Sequence, residues 1–339
     1  MIVRWELLRY IAGQPAAEGY VLRLQDDAGN TGLGEARAIA GFGSGPTVLK
    51  NFLAQAENIT ALLHSLQQDT PTALDSIPPE ALFAAETAMH DLAARATGQN
   101  LTSWLGYPAR TSLANSLLVS DEEQARQLAE QGHRNFKLKA HGDSPVWLSL
   151  FEVLRTATQG QARIRVDANQ SWDLDTAEHL LGQAALENLV FVEQPFPAGD
   201  LDSCLKLKNT LGVTIAIDEG AGDKESIEKI AARNAADLVV IKPMFRGLAG
   251  ALDLAATAEA NSLGVCITHS MDGTIGRLAA MHIAATIDGP WPHGLFAPGL
   301  PELAEEPRLE PDRLLMPSGP GLGWGELRDD LLEPWDGES

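Results

Sequence analysis

Two cysteines, Cys204 and Cys266, are the only thiols in this 339-residue chain, and no Cys-x-x-Cys pair occurs. That count excludes a disulfide framework and leaves two packed thiols, one in a helical pattern and one in a strand pattern. No apolar run reaches the ~18 residues that a membrane span needs. The opening stretch MIVRWELLRY reads as a strand and lacks a basic start, a long apolar stretch and a small-residue cleavage site. The expectation is therefore a cytoplasmic protein without a signal peptide. Basic residues are scarce too: 25 Lys and Arg against 46 Asp and Glu, a formal net charge of −21. A field of that sign repels nucleic acid and anionic membrane, so neither is expected as a partner. No Gly-x-Gly-x-x-Gly turn follows the first strand, which counts against a doubly wound dinucleotide-binding sheet.

What is present is a repeat. From about residue 112, short apolar β-rich runs alternate with amphipathic runs of helical spacing. The strand runs begin near Ser112, Asn135, Ala162, Leu189, Val213, Asp237 and Val265, and a short eighth run, HGLFAP, begins at His293. Strands apolar on both faces suit a fully covered parallel sheet, and seven or eight strand–helix units suit a TIM-type barrel. Before residue 112, IVRWELLR, GYVLRLQDD and TGLGEA read as antiparallel strands, with a hairpin signal at Asp27–Gly29–Asn30. Helices are predicted around Thr47–Leu66 and from Pro79 to Ala96, the second opened by Pro78-Pro79-Glu80. The predicted fold is α/β: a modified TIM barrel of (β/α)7β type over 112–299, with an α+β capping domain over 1–111. A C-terminal segment, 300–339, packs back on that capping domain.

In such a barrel the active site lies at the C-terminal ends of the strands. There the second strand carries Lys137 and Lys139, the third Asp167 and Asn169, the fourth Glu193 and Gln194, the fifth Asp218 and Glu219, the sixth Lys242, and the seventh Thr268, His269 and Ser270. Residues two apart share a strand face, so both lysines of the second strand can enter the barrel mouth. One Asp at a strand end is more often a helix N-cap. The ordered set Lys, Asp, Glu, Asp, Lys on five consecutive strands is another matter, because buried charges need partners or a metal. Asp167, Glu193 and Asp218 form a hard all-oxygen set, which favours Mg²⁺ or Mn²⁺ over zinc. Such a site would acidify the proton beside a carboxylate by stabilising the enediolate, with a flanking lysine as base. His269 reads as a hydrogen-bonded structural histidine. A Schiff base on one of the lysines is the alternative chemistry, and would not need a metal.

These residues resemble the enolase superfamily in its muconate-lactonising-like subgroup. The match rests on Lys137–Lys139, Asp167, Glu193, Asp218 and Lys242, on GLGEA at 32–36, and on the helix EALFAAETAMHDLAARATG. The runs IKPMFRG, GLGEARAIAGFG and THSMDGTIGRLAAMHIAA are similar to the o-succinylbenzoate synthase group. The resemblance implies a dehydratase of menaquinone biosynthesis. Lys139 would take the α-proton and then assist loss of water, Lys242 would stabilise the enediolate, and Lys137 would tune Lys139. Asn169, Gln194 and Glu219 would support the metal shell. Thr268, Ser270, Asp272 and Phe42 would lie near the substrate, with the loop around Ala38–Gly45 closing over it. Asp272 stands where many relatives have Glu, and Gly247-Leu248 where Gly-Gly is usual. N-acylamino acid racemases, dipeptide epimerases and cycloisomerases share this framework. The epimerases' Asp-x-Asp is not matched by Ile287-Asp288-Gly289. The expected partner is a small carboxylate substrate, with the protein a monomer or homo-oligomer.

Overall fold

The computed structural model describes residues 2–12, 17–68 and 76–337. Three strands, β1 (Ile2–Ala12), β2 (Ala17–Asp26) and β3 (Thr31–Ala36), form an antiparallel meander. The β2–β3 turn closes because Asp26 Oδ1 accepts from the amides of Ala28 (3.0 Å) and Asn30 (2.7 Å), with Gly29 at φ +85°.

Helix α3 (Pro79–Ala96) crosses β3, and the glycines of GLGEA explain how closely. A Cβ on Gly32 would stand 2.2 Å from Ala88 O, and one on Gly34 1.9 Å from Ala84 O. Any larger residue would push the helix off the sheet. Sequence periodicity predicts one helix over Thr47–Leu66; the chain forms two, α1 (Pro46–Leu53) and α2 (Ala56–Gln67). Gln55 takes extended backbone between them, and Asn58 Nδ2 donates to Phe52 O (3.0 Å), satisfying a carbonyl that the break releases.

A short helix, α4 (Leu101–Trp104), leads to the barrel. The predicted first strand, from Ser112, divides into β4 (Ser112–Ala114) and β5 (Leu117–Val119). β4 leaves the barrel to pair with β13 (Arg313–Leu315), which also pairs with β12 (Leu309–Glu310). The barrel strands are β5, β6 (Asn135–Lys139), β7 (Arg163–Asp167), β8 (Leu189–Glu193), β9 (Ile215–Ile217), β10 (Leu238–Ile241) and β11 (Gly264–Ile267), paired in chain order. The eighth run shrinks to His293 and Gly294, which bridge Asn115 on one edge and Thr268 on the other, closing the seam.

Six helices follow the later strands: α6 (Val146–Ala157), α7 (Leu174–Leu181), α8 (Leu201–Leu211), α9 (Lys224–Ala232), α10 (Leu248–Ala260) and α11 (Thr274–Ala284). α5 (Glu122–Glu130) follows β5. Asp121, Asp173, Asp200 and Asp223 cap α5, α7, α8 and α9, each accepting from a backbone amide three residues on. The strand-end acids Asp167 and Asp218 cap no helix, which sets them apart from these four.

Two glutamates fasten the N-terminal sheet and helix to the barrel. Glu35 on β3 accepts from Gly273 N (2.6 Å) and Gly276 N (2.8 Å) at the start of α11, and from Tyr10 Oη (2.5 Å). Glu86 on α3 accepts from Leu248 N (2.6 Å) and Ala249 N (3.1 Å) at the start of α10. Both place a carboxylate on a helix N-terminus, where free amides and the helix dipole favour it. A Cβ on Gly247 would stand 2.8 Å from Glu86 Oε2, so the glycine lets this carboxylate reach. From the C-terminal end, β14 (Glu333–Pro334) joins β1 and Trp335 packs on Tyr20 with ring centroids 4.8 Å apart. No helix among the described residues is long and apolar enough to cross a membrane.

Candidate active site

A cavity of about 240 Å³ opens at the C-terminal ends of the barrel strands. Lys137, Lys139, Asp167, Glu193, Asp218 and Lys242 all line it. Strand register explains why: Lys139 pairs with Asp167 and Asp167 with Glu193, so these side chains leave the sheet at one level. Lys137 Nζ bridges Asp167 Oδ2 (2.7 Å) and Glu193 Oε1 (2.8 Å). Lys139 Nζ donates to Asp167 Oδ2 (2.6 Å) and Asn169 Oδ1 (2.7 Å), and Lys242 Nζ is hydrogen-bonded to Asp218.

The electrostatics follow from that pairing. Burial works against the charged form of Lys137, but Glu193 and Asp167 outweigh it and raise its pKa. Burial likewise opposes charge on Lys242, and Asp218 with Glu193 overcomes it. Asp167 is held below the usual carboxylate range by Lys137 and Lys139, against its own burial. Burial pushes Glu193 and Asp218 up, helped by Asp167 at Glu193 and by Glu219 at Asp218. At Glu193 and Asp218 burial therefore outweighs the neighbouring lysines.

The backbone around these residues is also unusual. Asn169, Gln194 and Met271, just past the ends of β7, β8 and β11, have φ of 44°, 39° and 61°. Non-glycine residues in that region cost energy and gather at functional sites. Gln194 is buried and braces the loop after β9, its Oε1 accepting from Asp218 N (2.9 Å) and Gly220 N (3.1 Å). Asn169 Nδ2 donates weakly to Glu219 Oε1 (3.4 Å), while Glu219 Oε2 is buried with no partner among the described residues.

Could these residues hold a divalent cation? As placed, the ammonium groups engage the carboxylates, and no three acid, His or Cys side chains among the described residues close on one point. The donor chemistry nevertheless fits. Three carboxylates line one cavity, an ammonium group bridges two of them, and the buried Glu219 Oε2 lacks a donor. Asp167, Glu193 and Asp218 are the oxygen ligands a hard cation would take.

The remaining site residues predicted from sequence divide. Thr268, Ser270 and His269 line the cavity. His269 is also structural: its Nδ1 accepts from Met271 N (3.1 Å), and burial pushes its pKa down to about 3. Phe42 lines the cavity from the capping side, stacks on Phe245 (6.1 Å between centroids) and lies 5.5 Å from Lys242 Nζ. Its loop is pinned by Glu80, which accepts from Ser44 N (3.0 Å) and Ser44 Oγ (2.8 Å). Asp272 is not in the lining; it accepts from Ser270 N (2.9 Å) behind the wall, and burial with Glu35 nearby raises its pKa to about 7. Gln194 and Glu219 likewise stand behind the lining.

Sequence reasoning overlooked Arg165, Ser116 and Gly294, which line the cavity floor and one wall. Arg165 had a readable signal, a charge within the apolar run of β7 two residues before Asp167 and therefore on the same face. Serine and glycine carried none.

The family profile described as enolase C-terminal domain-like matches residues 120–329. A muconate cycloisomerase 1 from Rhodococcus opacus is 31% identical over 265 residues, covering 74% of this chain and 71% of its own. An o-succinylbenzoate synthase from Thermosynechococcus vestitus is 29% identical over 275 residues, covering 79% of this chain and 81% of its own. The structure of muconate lactonizing enzyme from Pseudomonas putida superposes with a TM-score of 0.79 at 26% identity, covering 97% of this chain and 98% of that one. With the strand order, the capping sheet and the ordered strand-end charges in agreement, the chain belongs to the enolase superfamily, among its muconate cycloisomerase-like enzymes.

Proposed function

We propose that this enzyme is an o-succinylbenzoate synthase-type dehydratase: it removes the proton beside a substrate carboxylate and expels water from a cyclohexadienyl dicarboxylate. The observation that carries proton abstraction is the order around the cavity. Lys139 on β6 and Lys242 after β10 flank the three acids of β7 to β9. Asp167, Glu193 and Asp218 would hold Mg²⁺ or Mn²⁺, which when bound supplies positive charge for the enediolate oxygens.

Lys139 Nζ, in its neutral form, takes the α-proton, and the C–H electron pair passes into the enediolate. The same Nζ, now an ammonium, returns that proton to the departing hydroxyl. The C–O bond breaks, water leaves, and the ring becomes aromatic. Lys242 faces the developing negative charge from the other flank as a fixed cation. Lys137 stays between Asp167 and Glu193 and holds them in register. Phe42 and Ile39 cover the cavity from the capping side and limit water. Support for dehydration comes from the synthase relative of Thermosynechococcus vestitus.

A second reading, cycloisomerisation of a muconate, draws on the relatives of that name. A dipeptide substrate is disfavoured: Asp288 is exposed and paired with Arg110, with no part in the cavity.

The test is to supply the dehydration substrate and cis,cis-muconate separately and follow each product by absorbance. Formation of the aromatic diacid with Mg²⁺, and its reversible loss with chelator, is the expected result. Lys139→Ala should lower turnover about 10³-fold with an unchanged circular dichroism spectrum. Turnover of muconate alone would replace the dehydratase reading with the second one. Activity that persists in chelator, with borohydride trapping substrate on a lysine, would replace both.

A further inference from the structure

Asn169, Gln194 and Met271, the left-handed residues just past strand ends, are not held alike. Asn169 N donates to Asp167 Oδ1 (3.0 Å) and Gln194 N to Ala216 O (2.8 Å), both within the barrel. Met271 is held at both of its backbone polar groups by side chains. Its N–H donates to His269 Nδ1 (3.1 Å), and its carbonyl accepts from Arg37 Nη1 (2.6 Å). Arg37 lies just past β3, so this second hold comes from the N-terminal sheet.

Arg37 is only 3% exposed. A buried guanidinium carries a desolvation cost, for which a carboxylate partner is the usual compensation. Here the terminal nitrogens go to two carbonyls on two elements: Nη1 to Met271 O, and Nη2 to the O of Ala12 at the end of β1 (3.0 Å). Only a planar fork presents two N–H groups at a fixed separation, so a lysine would reach one carbonyl and lose the other. The Tyr10 ring, 6.0 Å from Arg37 Cζ, and Met244 Sδ, which accepts from Arg37 N (3.4 Å), fix where the fork points. Glu35, two residues earlier and therefore on the same face, accepts from Gly273 N (2.6 Å). One end of β3 thus grips the β11–α11 loop at two points.

That loop forms a wall of the cavity, through Thr268, His269, Ser270 and Met271. Met271 is its exposed apolar member, 40% accessible, and shares the lining with Ile39 and Phe42. Left-handed backbone is unfavourable for a methionine and persists only where its surroundings impose it.

We infer that Arg37 is a positioning residue: it fixes Met271 in the left-handed conformation and so keeps the methionine in the cavity wall. The substrate meets Met271 and not Arg37, which is outside the lining. The effect therefore falls on binding of the substrate's apolar body and not on proton transfer. The inference rests on the proposed function only for which substrate that is.

Its first test needs no ligand. Six methionines give a simple NMR spectrum of methyl-labelled protein, in which Met271→Leu assigns the Met271 peak. Arg37→Lys should shift and broaden that peak and leave those of Met89, Met281 and Met316 in place. An unmoved Met271 peak would overturn the inference. The second test is a kinetic cycle in Mg²⁺, with whichever of the dehydration substrate and muconate the wild type turns over. Arg37→Lys should raise KM about tenfold with kcat within about threefold. Met271→Gly adopts left-handed backbone unaided and lacks the side chain, so it should raise KM similarly. Adding Arg37→Lys to Met271→Gly should then change KM by less than about twofold. The same factor in both backgrounds would make the arginine merely structural and overturn the inference. A wild-type KM in Met271→Gly would also overturn it, even if Arg37→Lys does not fold. Turnover of muconate alone would reject the dehydration substrate and leave the cycle to be read on muconate.

Discussion

Lys137 is held in place by two acids at once, and its removal would leave Asp167 and Glu193, each with a side chain only 1% exposed, facing one another. Breaking a buried ion pair from one side costs about 3–5 kcal/mol, because the remaining charge keeps its desolvation penalty. Lys137→Met should therefore lower the unfolding midpoint by roughly 10 °C in metal-free buffer. The same variant frees Glu193 of its ammonium partner and leaves Asp167 with Lys139 alone, so a divalent cation meets less competition at the pair. Its midpoint should then rise more steeply with Mg²⁺ than the wild type's, regaining about half the loss at saturating metal. Differential scanning calorimetry across a Mg²⁺ series reads both effects. A variant that melts like the wild type and ignores Mg²⁺ would show that Lys137 does not neutralise the pair and that the acids do not bind the ion.

The wall behind the site raises a different question, since Asp272 at the entrance to α11 is buried beside Glu35 of β3. Arg277 of α11, Arg37 after β3 and Tyr10 of β1 are its other charged or titratable neighbours. Burial and then Glu35 raise its pKa to about 7, so the folded chain holds this proton more tightly than the unfolded chain does. Between roughly pH 4 and 7 the folded state binds more protons, and stability falls as pH rises. Above about 7 the whole cost is present, on the order of 4 kcal/mol as an upper figure. Asp272→Asn keeps the acceptor for Ser270 N and removes the titration. Its unfolding midpoint should lie close to the wild type's near pH 5 and above it at pH 8. A wild type and variant that decline in parallel over that range would place the titration elsewhere.

Elements such as α11 also show what the sequence can disclose. The alternation of strands and helices, and the order of charges at strand ends, are local signals with a fixed period, and they located the barrel and the lining lysines and acids. Arg165 obeyed the same rule and could have been read. The split between α1 and α2 could not, because it depends on an extended Gln55 within an unbroken apolar pattern. Nor could Glu35 and Glu86: each caps a helix more than 160 residues further along, and a glutamate in a strand or helix carries no mark of that use. The seam was the hardest case, since its strand is reduced to His293 and Gly294.

At the scale of the molecule, the dominant feature is charge: 46 acidic residues against 25 basic ones. Two effects of salt compete. Many ion pairs here are exposed, Arg126–Glu122, Lys224–Asp253 and Lys229–Glu225 among them, and screening weakens each. Exposed pairs contribute about 0–1 kcal/mol apiece, so their loss is small. Screening also relieves repulsion among the surplus acids, which acts over the entire surface and opposes the compact state. At 0.01 M ionic strength the Debye length is about 30 Å, comparable with the size of the domain, and at 0.15 M it is about 8 Å, so most of that relief comes in this range. Relief should win, and the unfolding midpoint should rise as NaCl goes from about 10 to 150 mM, flattening beyond. Each kcal/mol of relief would appear as roughly 2–4 °C. A midpoint that falls with salt would mean that specific ion pairs, and not net repulsion, govern the stability of this acidic barrel.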